Sequence, residues 1–227
     1  MSALLADPKL LWYLARSTGV VCLVLLTVST ALGLVAAGRL RSSRWPRFVT
    51  QSLHRTVALL AVLLLAGHVV AVVADDYVEI GVVEAFVPFV GTYRPLWLGL
   101  GAIATDLLVL LIVTSLLRTR LPHAVWRGVH LTAYACWPVS VLHGLGTGSD
   151  PRQAWFAGVA VACAVVVGAA LLRRLWTATA RPASLRIAGG VLTLATLAGI
   201  AGWAGDGPMR PGWAARADTP VVGEGEG

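Results

Sequence analysis

The sequence predicts an all-α protein, a six-helix transmembrane bundle with both termini outside the cell membrane. Three observations predict it: the composition, the spacing of the apolar runs and the charge of the loops between them. Hydrophobic residues make up 57% of the 227 residues and charged residues only 13%. An ordinary soluble domain has about 25% charged residues, so the composition indicates a chain that lies in the lipid bilayer.

Six apolar runs are each long enough for a spanning helix, which needs about 20 mostly apolar residues. They lie at residues 11–37, 52–74, 95–117, 124–146, 154–175 and 184–204. The first run lacks a preceding basic segment and is too long for a secretory leader, so it predicts a retained helix. We therefore expect a membrane domain over residues 1–204, followed by a disordered extracytoplasmic tail at 205–227.

The charge of the loops predicts the orientation of the bundle. Three alternate loops carry arginine clusters, which are Arg39, Arg41, Arg44 and Arg47, then Arg118, Arg120 and Arg127, then Arg173, Arg174, Arg181 and Arg186. The loops between them carry Asp75, Asp76, Glu79 and Glu84, then Asp150 with Arg152. The positive-inside rule places the arginine-rich loops in the cytoplasm and both termini outside. Anchoring also explains the formal charge of +7, which therefore predicts no nucleic-acid partner.

The second and fourth runs carry histidines in a matching arrangement. LHRTVALLAVLLLAGH, residues 53–68, contains His54 and His68, and GVHLTAYACWPVSVLH, residues 128–143, contains His130 and His143. At 1.5 Å per residue, the two histidines of each run are about 20 Å apart along the helix, most of a bilayer core about 30 Å thick. Because both runs point outward, the four imidazoles predict one pair in each leaflet.

Two neutral imidazoles are what a haem iron needs when it is held from both faces. A single histidine within a membrane is often only a hydrogen-bonding group between helices. Four in matched layers favour ligation, because ionisable groups in the bilayer are costly and usually functional. His123, beside Pro122 at the membrane edge, has no counterpart in the second run and is expected to be an interfacial imidazole.

The pairing requires His130 and His143 to lie on the same side of the fourth helix. Thirteen residues of ideal helix leave His130 and His143 about 140° apart around the axis. Pro138 lies between them and cannot donate a hydrogen bond to the carbonyl of Tyr134. A kink or a local change of winding in this helix is therefore expected.

The two histidine segments together resemble the ferric reductase-like transmembrane domain. This domain is shared by ferric reductases, NADPH oxidases and the membrane subunit of a bacterial periplasmic methionine sulfoxide reductase. The resemblance covers about residues 11–175 and leaves 184–204 as an extra sixth helix. It implies a two-haem b-type cytochrome, in which His54 and His130 hold the inner haem and His68 and His143 the outer one.

The resemblance also implies redox partners. The sequence lacks the cytosolic flavin and nicotinamide domain of the oxidases, so a separate cytosolic flavin reductase or membrane quinol is the expected donor. An extracytoplasmic acceptor, for example a flavoprotein, would take the electrons. The expected role is that of an oxidoreductase component that relays electrons and has no catalytic acid or base of its own.

Other charged residues are secondary candidates. Arg16, at the outer end of the first helix, is a candidate partner for the propionates of the outer haem, and Arg55 and Arg127 for those of the inner haem. Anchoring at the inner surface explains Arg55 and Arg127 equally well, and Arg16 can instead reach lipid phosphate. Asp106, in the middle of the third run, needs a partner or a proton, and a hydrogen bond within the bundle is favoured over a proton relay.

A polytopic transporter or proton channel is the alternative function. In that interpretation the histidines and Asp106 would pass protons across the bilayer. The second and fourth runs show no inverted repeat of the kind that many transporters have, which favours the cytochrome.

Overall fold

A computed structural model describes residues 9–37, 46–75, 78, 80–178 and 180–217, and this part of the chain forms helices and no strand. The helices are α1 (Leu10–Ala37), α2 (Arg47–Val73), α3 (Val82–Phe86), α4 (Pro95–Leu116), α5 (His123–His130), α6 (Ala133–Thr147), α7 (Ala154–Trp176), α8 (Ala183–Asp206) and α9 (Trp213–Arg216). The predictions for Arg39, Arg41, Arg44, Asp76, Glu79 and residues 218–227 concern positions outside the described residues.

Five of these helices, α1, α2, α4, α7 and α8, are long and apolar enough to cross a membrane. They coincide with the first, second, third, fifth and sixth apolar runs to within a few residues. The chain is therefore a multi-pass, all-α membrane protein. The fourth run differs from its prediction, because it forms two consecutive helices, α5 and α6, instead of one.

A tighter turn at Leu131 and Thr132 separates α5 from α6. The amide of Leu131 donates to the carbonyl of Gly128 at 3.2 Å, and the amide of Thr132 donates to that of Val129 at 2.9 Å. The hydroxyl of Thr132 donates to the same Val129 carbonyl at 2.8 Å. These bonds span three residues, as in a 3₁₀ turn, and a threonine hydroxyl that bonds to a nearby carbonyl favours such an interruption.

This turn reduces the angle around the helix axis between His130 and His143, as the pairing requires. Each residue of a 3₁₀ turn rotates the chain by about 120°, compared with about 100° in an α-helix, so the turn brings His143 toward the side of His130. The change of winding was expected from Pro138. Pro138 lies inside α6, however, and the turn precedes it by several residues.

Proline residues mark the beginnings of four helices. Pro46, Pro122 and Pro182 immediately precede α2, α5 and α8, and Pro95 is the first residue of α4. The first turn of a helix has no internal acceptor for its amides, so a residue without an N–H loses nothing there, and its fixed φ suits the helix. The helix boundaries near these prolines are thus determined locally.

The core lies among α1, α6, α7 and α8. Its buried members are Leu23, Trp137, Val141, Leu145, Phe156, Cys163, Val167 and Ala204. Helix α1 also packs against α2, and α4 packs against α6. The core therefore holds α6 firmly, and through α1 it holds α2 as well.

Thr27 and Trp137 make a buried polar contact inside this core. The indole N–H of Trp137 donates to the hydroxyl of Thr27 at 2.9 Å, and that hydroxyl donates to the carbonyl of Leu23 at 2.8 Å. Both side chains are only 3% exposed. The contact joins α1 to α6 and gives each polar hydrogen of the pair an acceptor.

Replacing Thr27 by Val should destabilise the bundle by about 1–2 kcal/mol, because the indole N–H of Trp137 would be left buried without an acceptor. The free energy of unfolding in mixed detergent micelles measures this effect. Thr114→Val in α4 is the matched control, since the hydroxyl of Thr114 bonds only to carbonyls of its own helix. A cost at Thr27 no larger than the cost at Thr114 would contradict the prediction.

The beginning of the predicted disordered tail is folded. Pro208 is fully buried, Ala217 is 3% exposed, and the indole N–H of Trp213 donates to the carbonyl of Gly146 at 2.9 Å. The ring of Trp213 also lies 5.4 Å from the ring of Trp97. The expectation of disorder is therefore wrong for residues 205–217, because Trp213 gives this polar segment an aromatic surface to bury.

Candidate haem site

The four histidines of the second and fourth runs meet in two pairs. The ring centroids of His54 and His130 are 6.3 Å apart with an angle of 79° between the ring planes, and those of His68 and His143 are 6.4 Å apart with an angle of 84°. Helix α2 contributes one member of each pair, and α5 and α6 contribute the other two. The structure thus brings together the residues that the sequence analysis grouped by depth.

The two histidine-bearing segments face each other with little backbone packing between them. Helix α2 packs closely on α1 and touches α3, but it has no comparably close approach to α5 or α6 within the described ranges. All four imidazoles are half-buried in the space between these helices. Side chains and not backbones therefore make the approach between these two segments.

Three of the four imidazoles donate a hydrogen bond from Nδ1 to a backbone carbonyl. The bonds run from His54 to Ser29 at 2.9 Å, from His68 to Ala15 at 2.8 Å and from His143 to Trp97 at 2.9 Å. A carbonyl oxygen only accepts, so Nδ1 carries the proton in a neutral ring and Nε2 keeps its lone pair. Histidines that bind metals in proteins are commonly held in this way.

His130 is held differently from the other three. Its Nδ1 atom is buried and has no hydrogen-bond partner in the part of the chain that the structure describes. Its ring stacks on Trp126 at 5.0 Å with an angle of 20°, and Trp126 in turn stacks on His123 at 5.7 Å. His123 is exposed, so this stack leads from the surface to His130. The three residues share one helical face by their spacing, which is the signal in the sequence that indicates the stack.

The separation within each pair fits a single bound iron. An imidazole nitrogen binds a first-row metal at about 2.0 Å, and the ring centroid lies about 1.1 Å behind that nitrogen. Two imidazoles on opposite sides of one iron therefore have centroids about 6.2 Å apart. Among the described residues, no three His, Cys, Asp or Glu side chains come together as a metal site. The histidines meet in twos, which suits a haem iron that is held by a protein ligand on each face.

Arg16 lies close to the His68 and His143 pair and is engaged by a protein carboxylate. Its guanidinium forms an ion pair with Asp150, whose side chain is only 8% exposed. The same guanidinium lies over the rings of Trp12 at 4.8 Å and Trp155 at 5.4 Å. Arg16 thus joins α1 to the loop between α6 and α7, one residue from the carbonyl that accepts from His68.

The other charged candidates are exposed. Arg55 follows His54 in α2, and Arg127 lies in the last turn of α5. Asp106 is exposed on α4, and within the described ranges it forms no hydrogen bond or ion pair. The hydrogen bond that was expected for Asp106 inside the bundle is therefore not formed there.

Arg94 holds the end of the helix that carries His143. It is 7% exposed, and its Nη1 donates to the carbonyls of Gly146 at 3.0 Å and Thr147 at 3.1 Å. A cation at these terminal carbonyls also interacts favourably with the helix dipole. Arg94 adopts the left-handed conformation, with φ of 41°, immediately before α4. No sequence signal marked this residue, because its acceptors are backbone atoms more than 50 positions away.

Fold and site together define a multi-pass helical membrane protein in which two segments present paired imidazoles. A family model described as "Ferric reductase like transmembrane component" matches residues 18–141. The chain belongs to this family, which in general is haem-binding and suggests transmembrane electron transfer. The match includes His54, His68 and His130 and ends two positions before His143. No curated protein and no solved structure matches the chain.

Proposed function

We propose that the chain is a di-haem b-type cytochrome that carries electrons across the cell membrane. The observation that carries this proposal is the presence of two imidazole pairs with centroid separations of 6.3 and 6.4 Å. His54 and His68 are 14 positions apart on one helix, so the pairs are separated by about 21 Å across the bilayer. Membership of a ferric reductase-like family supports electron transfer as the function.

Each pair has a specific role in this proposal. His54 and His130 would hold the inner haem and His68 and His143 the outer one, both through Nε2. Bound haem would supply a reversible one-electron change of its iron. Three of the four imidazoles are held with Nδ1 as the donor, because the carbonyls of Ser29, Ala15 and Trp97 accept from that atom, and their Nε2 atoms are left for iron. It also surrounds the pairs with apolar helices, which limits the access of water.

The proposed topology has six spans with both termini outside, and α5 and α6 together make the fourth crossing. Arginines cluster beyond the end of the bundle that carries His54 and His130, and Asp150 lies near His68 and His143. This asymmetry supports a cytoplasmic location for the first pair under the positive-inside rule.

The donor is proposed to be a separate cytosolic flavin reductase or membrane quinol. The described residues form only helices, so they offer no sheet on which a nicotinamide or flavin nucleotide could bind in the common way. Arg118, Arg120 and Arg127 are exposed, and the guanidinium of Arg118 lies 5.7 Å from the ring of Trp126 in the stack that ends at His130. The three cations suit an acidic protein surface.

The acceptor is proposed to bind at the opposite end, on the surface formed by residues 80–94 and 144–153. A flavoprotein is one acceptor of suitable chemistry. Arg16 would assist the outer haem from its place beside Asp150, and Arg55 and Arg127 would assist the propionates of the inner haem.

The proton-relay alternative receives no support from the position of Asp106. Its carboxylate is exposed on α4, whereas the histidine pairs lie between α2 and the α5–α6 segment. A relay would need a continuous line of polar groups between Asp106 and a histidine.

A spectrum of the purified protein tests the proposal. We expect the dithionite-reduced minus oxidised spectrum to show sharp b-type bands, with about two haems per chain by chemical assay. A folded, correctly inserted preparation without haem after expression with sufficient haem supply would contradict the proposal.

A further inference from the structure

Each imidazole that donates to a carbonyl also lies against a glycine of the helix that supplies the carbonyl. The pairs are Gly19 with His68, Gly33 with His54 and Gly101 with His143. In each case the glycine is four positions after the accepting residue, which is Ala15, Ser29 and Trp97 in the same order. One local arrangement thus occurs three times, on α1 twice and on α4 once.

The helix geometry explains why a glycine stands at that position. The Cα–Cβ bond of a helical residue tilts toward the N-terminus, so a side chain covers the preceding turn, where the carbonyl four residues earlier lies. A glycine leaves that carbonyl open on one side. An imidazole can then lie against the helix backbone and reach the oxygen with its Nδ1–H.

The two glycines of α1 have the same spacing as the two histidines of α2 that they contact. Gly19 and Gly33 are 14 positions apart, as are His54 and His68. The earlier glycine meets the later histidine, which is the pattern of two antiparallel helices. The spacing of the histidines is therefore matched by the spacing of the glycines that receive them.

The space available for an added methyl group differs among the three glycines. A methyl group at Gly101 would overlap the ring of His143, and one at Gly19 would lie 3.0 Å from Cε1 of His68. A methyl group at Gly33 would lie 3.4 Å from Cε1 of His54, an ordinary van der Waals distance. A methyl group should therefore disturb His143 most and His54 least.

We propose that Gly19, Gly33 and Gly101 are positioning residues that orient three of the four haem ligands by opening a carbonyl to each imidazole. This inference rests on the proposed function. Both ligands of the outer haem make such a contact with a glycine and a carbonyl. Of the ligands of the inner haem, only His54 makes one. His130 is the exception, since its Nδ1 has no hydrogen-bond partner among the described residues, and Gly128, two positions before it, has nothing within 4 Å of an added methyl group.

The consequence is a difference between the two haems that substitution can reveal. A hydrogen bond from Nδ1 to a carbonyl makes the imidazole more basic and so favours ferric iron. Losing that bond should raise the midpoint potential of the affected haem. Alanine at Gly101 or Gly19 should therefore raise the potential of the outer haem or release that haem, and leave the inner haem unchanged.

The test measures haem content, low-spin electron paramagnetic resonance signals and a redox titration for Gly101→Ala, Gly19→Ala and Gly33→Ala. Gly67→Ala and Gly128→Ala are matched controls, because each lies within two positions of a histidine in sequence and has nothing within 4 Å of the added methyl group. We expect the largest change for Gly101, a smaller one for Gly19, the smallest for Gly33 and none for the controls.

The possible results separate this inference from the proposed function. A wild-type protein without haem would refute the proposed function itself. If the wild type binds two haems but Gly101→Ala and Gly19→Ala keep both potentials and both low-spin signals, the positioning role is wrong. An equal change in both haems would also overturn it. Should Gly101→Ala fail to fold, Gly19→Ala decides the question, since its smaller overlap acts on the same haem.

Discussion

Replacing His68 by Ala should remove the outer haem and leave the inner haem in place, so that haem per chain falls by about half. The iron of the outer site would keep only His143 as a protein ligand, and a haem held by one imidazole in this space is bound much less tightly. His143→Ala should give the same loss. His54→Ala and His130→Ala should instead remove mainly the inner haem.

Haem assays and low-spin signals of the four variants distinguish these sites. His123→Ala is the matched control, because this imidazole is exposed and belongs to neither pair, and it should retain both haems. His143 is the most informative position, since it lies beyond the part of the chain that matches the family model. A single variant among the four that keeps two normally ligated haems would show that the pairing is wrong.

The sequence predicted the helices and the grouping of the histidines well, for physical reasons. Apolar runs of spanning length leave little choice of structure in a bilayer, because every backbone polar group must be satisfied within the segment. The rise of 1.5 Å per residue then converts the positions of His54 and His68 into depths. The grouping of His54 with His130 and of His68 with His143 followed from depth alone.

Other features depend on contacts that no local pattern encodes. The interruption at Leu131 and Thr132 lies before Pro138, and the competing bond from the Thr132 hydroxyl became visible only in the structure. The folded segment around Trp213 depends partly on distant contacts, since the carbonyl of Gly146 and the ring of Trp97 are both far from it in sequence. Composition favoured disorder there, because it does not show these contacts.

The acceptors of the histidines were equally hidden. Backbone carbonyls are present at every residue, so nothing in the sequence singled out those of Ala15, Ser29 and Trp97. The available signal was that Gly19 and Gly33 are separated by the same number of residues as the two histidines of α2. It becomes meaningful only when α1 and α2 are known to be antiparallel neighbours.

In reconstituted vesicles, the protein should pass electrons from its arginine-rich side to the opposite side of the membrane. The arginine-rich end carries His54 and His130, so electrons should enter there and leave from the outer haem. We expect NADPH alone to give no useful haem reduction, and a flavin reductase or a reduced quinone to restore it. Rapid reduction by NADPH without a second component would contradict the proposed separate donor.

The most direct measurement follows haem absorbance in oriented vesicles, with a donor on the arginine-rich side and a membrane-impermeant oxidant on one side at a time. Labelling of an engineered tail cysteine reports which way the protein is inserted, and His68→Ala serves as the variant with an interrupted path. We predict rapid reoxidation of both haems by oxidant on the side of the tail, and loss of this reaction in His68→Ala. Reoxidation only by oxidant on the arginine-rich side, or an unchanged rate in His68→Ala, would contradict transfer of electrons across the membrane through the two sites.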